Sequence, residues 1–145
     1  MTWLGLDFGT RRIGVAVSDG VGWTARGLTT IQRKGGIRDL EAVGRLVQEH
    51  DVEALVMGLP LNMDGSEGRM ADLSRRFAAT LSDHLGLQVH LFDERLSSFA
   101  ADEVMEQAQV KRGQRKAMRD QVAAALILEA WLRVQQAQPV SGDQP

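Results

Sequence analysis

Residues 4–19 read LGLDFGTRRIGVAVSD, two apolar segments on either side of a short polar turn. The first segment, residues 3–9, is nearly all apolar, which is typical of a strand covered on both faces. The second, residues 13–18, is rich in β-branched residues and follows the connection Gly9-Thr10-Arg11-Arg12. This spacing predicts an antiparallel hairpin at the start of the chain.

Beyond this hairpin, apolar periodicity and turn residues divide the chain into alternating helices and strands. We expect a third strand over residues 23–31, a helix over 37–47 after Gly35-Gly36, a strand over 52–58, a helix over 70–81, a strand over 87–92, a helix from Ser97 or Ser98 to about residue 107, and a last helix over about 114–136. Three strands in a meander followed by alternating helix and strand predict an α/β fold, one mixed sheet with helices on its faces.

Length and composition indicate one globular domain. The 145 residues are 43% hydrophobic and 25% charged, and contain no internal repeat or dividing linker. We expect a domain over residues 1–138 with a disordered tail over 139–145. A two-domain kinase is disfavoured by length. Because no segment resembles a membrane span or a cleavable leader, we expect a cytoplasmic protein without membrane contacts.

Asp7 interrupts an apolar strand, between Leu6 and Phe8. An ionised carboxylate in such a strand costs several kcal/mol unless a positive group compensates it. One interpretation is a structural carboxylate that accepts bonds from the amides at the strand end or pairs with Arg11 or Arg12. The other is a ligand for a cation.

Asp93 and Glu94 end the strand predicted over residues 87–92. Because side chains alternate along a strand, the two carboxylates project to opposite faces and only one would face a site. The alternative is that the pair begins a solvated loop, with Arg95 as an ion partner worth about 0.5 kcal/mol.

Asp120 lies on an apolar stripe of the last predicted helix, with Ala124, Ile127 and Trp131 at i+4, i+7 and i+11. Three alanines at 123–125 would let this helix lie close to the sheet and bring Asp120 toward the strand ends that carry the other acids. The alternative, a favourable contact with the helix dipole worth up to about 1 kcal/mol, would be met equally by an outward-facing aspartate.

Five cations precede Asp120 within nine residues: Lys111, Arg112, Arg115, Lys116 and Arg119. Such a run is usually a solvated face, and the net charge of −2 does not indicate a generic polyanion binder. Its position beside the acids favours a surface that binds phosphates.

Three carboxylates held together repel one another and persist as anions chiefly when a divalent cation neutralises them. With no cysteine and only three scattered histidines, oxygen ligands are expected, which suit Mg²⁺ or Mn²⁺. Two such ions about 4 Å apart activate water and stabilise a leaving oxygen in phosphoryl displacement. The pattern therefore predicts metal-dependent phosphodiester chemistry on nucleic acid.

Four blocks in order resemble the YqgF/RuvX family of the RNase H-like superfamily. They are LGLDFGTRRIGVAVSD at residues 4–19, GLPLNMDGSEG at 58–68, FDERLSS at 92–98 and RDQVAAALILEAWL at 119–132. The resemblance implies a five-stranded RNase H-like fold and a catalytic, metal-binding acidic site carried by Asp7, Glu94 and Asp120.

The resemblance also implies an endonuclease that acts on structured nucleic acid. Two activities have been proposed for the family: maturation of the 5′ end of the small-subunit ribosomal RNA precursor, and resolution of Holliday junctions. Two coordinated cuts in a junction would require a symmetric homodimer. Beside the basic run, candidate substrate contacts in or near the motif blocks are Thr10, Arg11, Arg95, Asn62 and Ser66, the last two in a loop that could meet a phosphate near a helix N-terminus.

Two other classes of function are compatible with parts of the sequence. The segment Asp7-Phe8-Gly9-Thr10 resembles the first phosphate motif of actin-like ATPases and sugar kinases, but neither a second Asp-x-Gly hairpin nor a P-loop is present. A catalytically silent RNA-binding or ribosome-assembly factor with the same fold is the second alternative. With 5% aromatic residues and no tyrosine, recognition of shape and backbone is favoured over base stacking.

Overall fold

The computed structural model describes residues 1–21, 24–96 and 112–137, with the backbone alone for Leu96 and residues 112–117. Four expectations concern residues outside this described part: Trp23 at the start of the third strand, the helix from Ser97 or Ser98, Lys111, and the tail over 139–145.

One mixed five-stranded sheet forms the centre of the molecule, as the sequence predicts. Its strands are β1 (Trp3–Phe8), β2 (Arg12–Ser18), β3 (Ala25–Gln32), β4 (Ala54–Leu59) and β5 (Val89–Asp93). They lie in the order β3-β2-β1-β4-β5. β2 pairs antiparallel with β1 and β3, whereas β4 runs parallel to β1 and β5 parallel to β4. The carboxyl ends of β1, β4 and β5 therefore lie at one edge of the sheet, together with the turn that joins β1 to β2.

Two helices cover one face of this sheet, α1 (Gly36–Glu49) and α2 (Arg69–Leu85). Large side chains fill the space beneath them; Leu4, Leu6, Leu55, Met57 and Leu81 are fully buried. Since alternate residues of β1 point to opposite faces, Leu4 and Leu6 in this core place Asp7 on the other face.

The other face is covered by α3 (Arg112–Ala137). Ala124, Ile127 and Leu128 are fully buried against it, and Trp131 packs at its edge, so the apolar stripe predicted for this helix is confirmed. Its partners on the sheet are small: Ala16 is buried here, and glycines face the helix on four strands.

Local hydrogen bonds explain where two strands begin later than predicted. The amide of Val52 donates to the carbonyl of Val47 at 2.9 Å in the turn after α1, so β4 begins at Ala54 rather than at residue 52. The carbonyl of Leu87 accepts from Ser82 Oγ at 2.7 Å, and β5 begins at Val89 rather than at 87. Among the described residues, no helix is apolar over a length sufficient to cross a bilayer.

Candidate active site

The acidic residues lie at the sheet edge formed by the carboxyl ends of β1, β4 and β5. Asp7 is the penultimate residue of β1, and its partner in the β1–β2 register is Gly14. Glu94 begins a short 3-10 helix (Glu94–Leu96) directly after β5. Asp120 lies in the first third of α3. The fold thus brings to one edge three residues that are distant in sequence.

Asp7 and Glu94 form a hydrogen-bonded carboxyl pair. Burial, the charge of Glu94, the hydrogen bond to Glu94 and the charge of Asp120 together raise the pKa of Asp7 from 3.8 to about 8, while the charge of Arg119 opposes this rise. A hydrogen bond between two carboxyls requires a proton on one of them. The pair of Asp7 and Glu94 therefore retains a proton to a higher pH than two isolated carboxyls would.

Glu94 reaches Asp7 across a glycine of β4. A Cβ atom built on Gly58 would lie 3.4 Å from both Cγ and Cδ of Glu94 and 2.7 Å from Ile127 Cδ1. The absence of a side chain at Gly58 thus leaves room for the glutamate to extend over the strand.

Asp120 approaches the sheet through a glycine of β2. A Cβ atom on Gly14 would overlap the backbone carbonyl of Asp120, so the helix backbone rests directly on the strand. The Asp120 side chain is 20% exposed and accepts a hydrogen bond from Arg12 Nε at 2.6 Å. Within the described ranges, no three Asp, Glu or His side chains form a ready group around a single ion position. In this arrangement, Arg12 is the counter-ion of Asp120.

Asp93 points away from this pair and binds Arg95. Both of its carboxylate oxygens accept from the Arg95 guanidinium, at 2.7 to 3.1 Å, which lowers the pKa of Asp93. Arg95 Nη1 also donates to the carbonyl of Met63 at 3.2 Å. The arginine therefore ties the loop after β4 to the end of β5.

The other sequence-predicted substrate residues lie around the same edge. Thr10 and Arg11 are exposed in the β1–β2 turn, and Arg119 is exposed beside Asp120. Asn62 Nδ2 donates to Ser66 Oγ at 3.0 Å inside the loop after β4. Arg112, Arg115 and Lys116 lie in the first turns of α3, where the structure describes the backbone alone.

Two arginines that sequence reasoning did not assign to the site also contact it. Arg12 had been considered only as a partner of Asp7, and instead binds Asp120. Arg33 Nη1 donates to the carbonyls of Gly9 and Thr10 at 3.0 and 3.2 Å, and its guanidinium lies 4.4 Å from the Phe8 ring centroid. Gly14, in the middle of β2, was a sequence signal for the close approach of α3, since such a glycine often marks a close backbone approach, but it did not indicate the partner of either arginine.

The sheet order and the helix placement define a fold of the RNase H-like class. RuvC of T. thermophilus, solved in complex with a Holliday junction substrate, superposes with a TM-score of 0.61 at 18% identity, covering 97% of this chain and 99% of that chain. The fowlpox virus Holliday junction resolvase superposes with a TM-score of 0.56 at 12% identity, covering 92% and 99%. At these identities the likeness establishes the fold.

The chain belongs to the RuvX family, described as Holliday junction resolvase, whose model matches residues 1–134. A protein of Myxococcus xanthus (strain DK1622) named "Putative pre-16S rRNA nuclease" is 53% identical over 132 residues, 91% of this chain and 87% of its own length. A protein of Moorella thermoacetica with the same name is 51% identical, over 91% of this chain and 94% of its own length. The family is one of nucleases, hydrolases that act on phosphodiester bonds.

Proposed function

We propose that this chain is a metal-dependent endonuclease that cuts structured nucleic acid at the cluster of Asp7, Glu94 and Asp120. The observation that carries the proposal is that the buried carboxyl of Asp7 is hydrogen-bonded to Glu94 and lies close enough to Asp120 for their charges to interact. A purely structural carboxylate would be satisfied by donors, as Asp39 is. The pKa of Asp7 is instead raised by burial and by the charges of two other acids, an arrangement that favours a cation.

The donor set fits Mg²⁺ or Mn²⁺, with Asp7, Glu94 and Asp120 as the protein ligands of one ion or of two. These are carboxylate oxygens, the ligands that hard divalent cations prefer. When bound, such ions supply water activation and stabilisation of the leaving oxygen. When the ion binds, Arg12 would either release Asp120 or stay on Oδ2 while the other carboxylate oxygen binds the ion.

The exposed residues around the acids would hold the substrate. The edge of the sheet that carries the three acids is bordered by Thr10, Arg11 and Arg119. This positively charged border would be extended by the run Lys111, Arg112, Arg115 and Lys116. The loop after β4 lies on the other side of β1 from the β1–β2 turn, and contacts of Asn62, Ser66 and Arg95 hold it in place. Phosphate contacts of this kind position a backbone without reading its sequence.

Among substrates, we propose the precursor of the small-subunit ribosomal RNA first, because the relatives at 51–53% identity carry that name. The four-way DNA junction is the second candidate, because the family description and the fold neighbours name it. The junction activity would need a homodimer. Both candidates are consistent with a cytoplasmic protein.

The test compares Asp7→Asn with the parent on a labelled ribosomal RNA precursor and a labelled four-way junction, side by side, with Mg²⁺ or Mn²⁺. We expect Asp7→Asn and Glu94→Gln to lose cleavage by at least about a thousandfold and to retain binding. Asp93→Asn is the matched control, since Asp93 is adjacent in sequence but binds Arg95. It should keep most activity.

Three results would contradict the proposal. Equal cleavage by Asp7→Asn and the parent would place the activity elsewhere. Binding without cleavage by the parent, with both substrates and both metals, would favour a catalytically silent RNA-binding factor. ATP turnover in the absence of nucleic acid would favour phosphotransfer.

A further inference from the structure

A second cationic surface lies outside the acidic cluster, in a groove between the end of β3 and the exposed side of α1. The groove has a volume of about 480 Å³. Lys34, Arg38 and Arg45 line it, and all three are exposed. We call this surface the β3–α1 groove.

None of the three cations of the β3–α1 groove forms an ion pair with an acid in the part of the chain that the structure describes. Arginines elsewhere in the described ranges, such as Arg33 and Arg75, are paired with acids, whereas no such pair involves Lys34, Arg38 or Arg45. Their charges are therefore available to a ligand.

Of the two acids that line the groove, one is already satisfied. Asp39 is 2% exposed and accepts from Arg33 Nε at 3.2 Å, from the Lys34 amide at 2.9 Å and from the Gly35 amide at 3.2 Å. This leaves Glu41 as the exposed acid of the groove. Three cations against one carboxylate give the groove a positive surface on a chain whose net charge is −2.

The β3–α1 groove adjoins the acidic cluster through Arg33. This residue binds Asp39, which lines the groove, and it donates to the carbonyls of Gly9 and Thr10 in the turn that follows Asp7. In the β2–β3 register, Gln32 of the groove is paired with Arg12, the ion partner of Asp120. A ligand lying in the groove would thus reach the edge of the sheet that carries the carboxylates.

We propose that the β3–α1 groove binds the sugar-phosphate backbone of a duplex segment of the substrate, next to the segment that is cut. The proposal rests on the proposed nuclease function and adds a second contact surface to it. Arg38 and Arg45 are separated by about 10 Å along the helix axis, a length over which a duplex carries about six phosphates. No aromatic side chain is among the residues that line the groove, which favours backbone contacts over base stacking.

The experiment measures the affinity of a labelled RNA duplex and a labelled four-way DNA junction as a function of salt, on the full chain carrying Asp7→Asn so that neither probe is cut. With Arg38→Ala/Arg45→Ala added, we expect Kd to rise about tenfold at 0.1 M salt and the slope of log K against log salt to fall by about two. A loss confined to one probe identifies which duplex the groove takes.

Three further variants separate charge from folding. Arg76→Ala/Arg133→Ala removes two exposed helical cations elsewhere and should leave affinity unchanged. Arg38→Lys/Arg45→Lys should retain most of the affinity, because a lysine still neutralises a phosphate. Glu41→Gln should tighten binding several-fold, because it removes the opposing charge from the groove.

Cleavage assays on chains that keep Asp7, run alongside the binding measurements, distinguish this proposal from the proposed nuclease function. Parental affinity and slope in the Arg38→Ala/Arg45→Ala variant would overturn the groove and leave the nuclease intact. If the parent binds the probes but does not cut them, and the Arg38→Ala/Arg45→Ala variant binds more weakly, the groove proposal would stand and the nuclease proposal would be overturned. A parent that binds neither probe would overturn both.

Discussion

The two faces of the sheet are built by opposite means. On the face beneath α1 and α2, large side chains such as Leu6, Leu55 and Met57 fill the interior completely. On the face beneath α3, glycines replace them, and the helix backbone approaches the strands closely.

The glycine-lined face lets α3 lie unusually close to the strands. A Cβ atom on Gly5 would lie 2.8 Å from Leu128 Cβ, and one on Gly27 would lie 3.0 Å from Gln121 Cβ. Together with Gly14 and Gly58, these positions determine how deeply α3 sits and therefore where Asp120 and Glu94 are held. The face beneath α1 and α2 contributes stability, whereas the face beneath α3 sets the geometry of the acids.

Among the substitutions that test this difference between the two faces, Gly14→Ala has the largest expected effect. The added methyl group would overlap the Asp120 carbonyl, so α3 must move away from β2 and take the Asp120 carboxylate with it. Because a shift of about 1 Å can cost a hundredfold in rate, we expect at least that loss of cleavage, measured at saturating metal.

Gly44→Ala is the control for this substitution. Gly44 lies in α1, where a Cβ atom would meet Leu85 Cδ2 at 3.4 Å. Alanine should be accepted there, and its better helix propensity offsets any small adjustment. Parental activity in Gly14→Ala would show that close approach of α3 is not what positions Asp120.

Leu81→Ala tests the filled face. Leu81 is fully buried on the inner side of α2, on the face of the sheet opposite α3. We expect a loss of about 3 kcal/mol in the free energy of unfolding, because the substitution leaves a cavity. Urea denaturation measures this loss. If the two faces act separately, the kcat of the remaining folded protein should stay within a few-fold of the parent, whereas a collapse of kcat would mean that the filled face also holds the site.

Much of the fold could be predicted from the sequence because it depends on local periodicity. The nearly unbroken apolar residues of β1 and the stripe through Ala124 and Ile127 identify a covered strand and a one-sided helix. Strand starts were less well predicted, since the amide of Val52 is committed to the turn after α1.

The site could be predicted only in part, because side-chain pairing depends on the tertiary structure. Asp7 was conspicuous as a charge in an apolar strand. The bond between Arg12 and Asp120 joins residues 108 positions apart, and nothing in the sequence near Arg12 indicates it. Similarly, the choice between Asp93 and Glu94 depends on where β5 ends and on the space above Gly58.

Asp7→Asn should remove a pH dependence of stability from the metal-free protein. The folded-state pKa of Asp7 is raised from 3.8 to about 8, so the parent loses stability as pH rises from about 4 through 8. Asparagine does not ionise, so the stability of the variant should rise by several kcal/mol relative to that of the parent between pH 4 and pH 9. Thermal unfolding in EDTA across this range measures the difference.

Asp93→Asn is the control of opposite sign. The pKa of Asp93 is lowered by Arg95, so its contribution is present above the ordinary carboxyl range and disappears as pH falls. If the stabilities of Asp7→Asn and the parent change equally between pH 4 and 9, the two carboxyls do not repel each other in the folded state, and a cation would have no repulsion to relieve there.

The smallest expected effect is that of Arg12→Gln on metal affinity. Arg12 Nε holds one oxygen of Asp120 at 2.6 Å on the glycine-lined face, and its charge lies near any ion bound there. Its removal frees that oxygen and removes a repulsive charge, and for partly exposed groups the two changes together amount to about 1 kcal/mol. We therefore expect Mn²⁺ to bind about fivefold more tightly by calorimetry, while the metal-free variant unfolds slightly more easily than the parent. A weaker affinity for Mn²⁺ would mean that Arg12 orients Asp120 for the ion rather than competing with it, and the glycine-lined face would then need this arginine as well as proximity to place its third carboxylate.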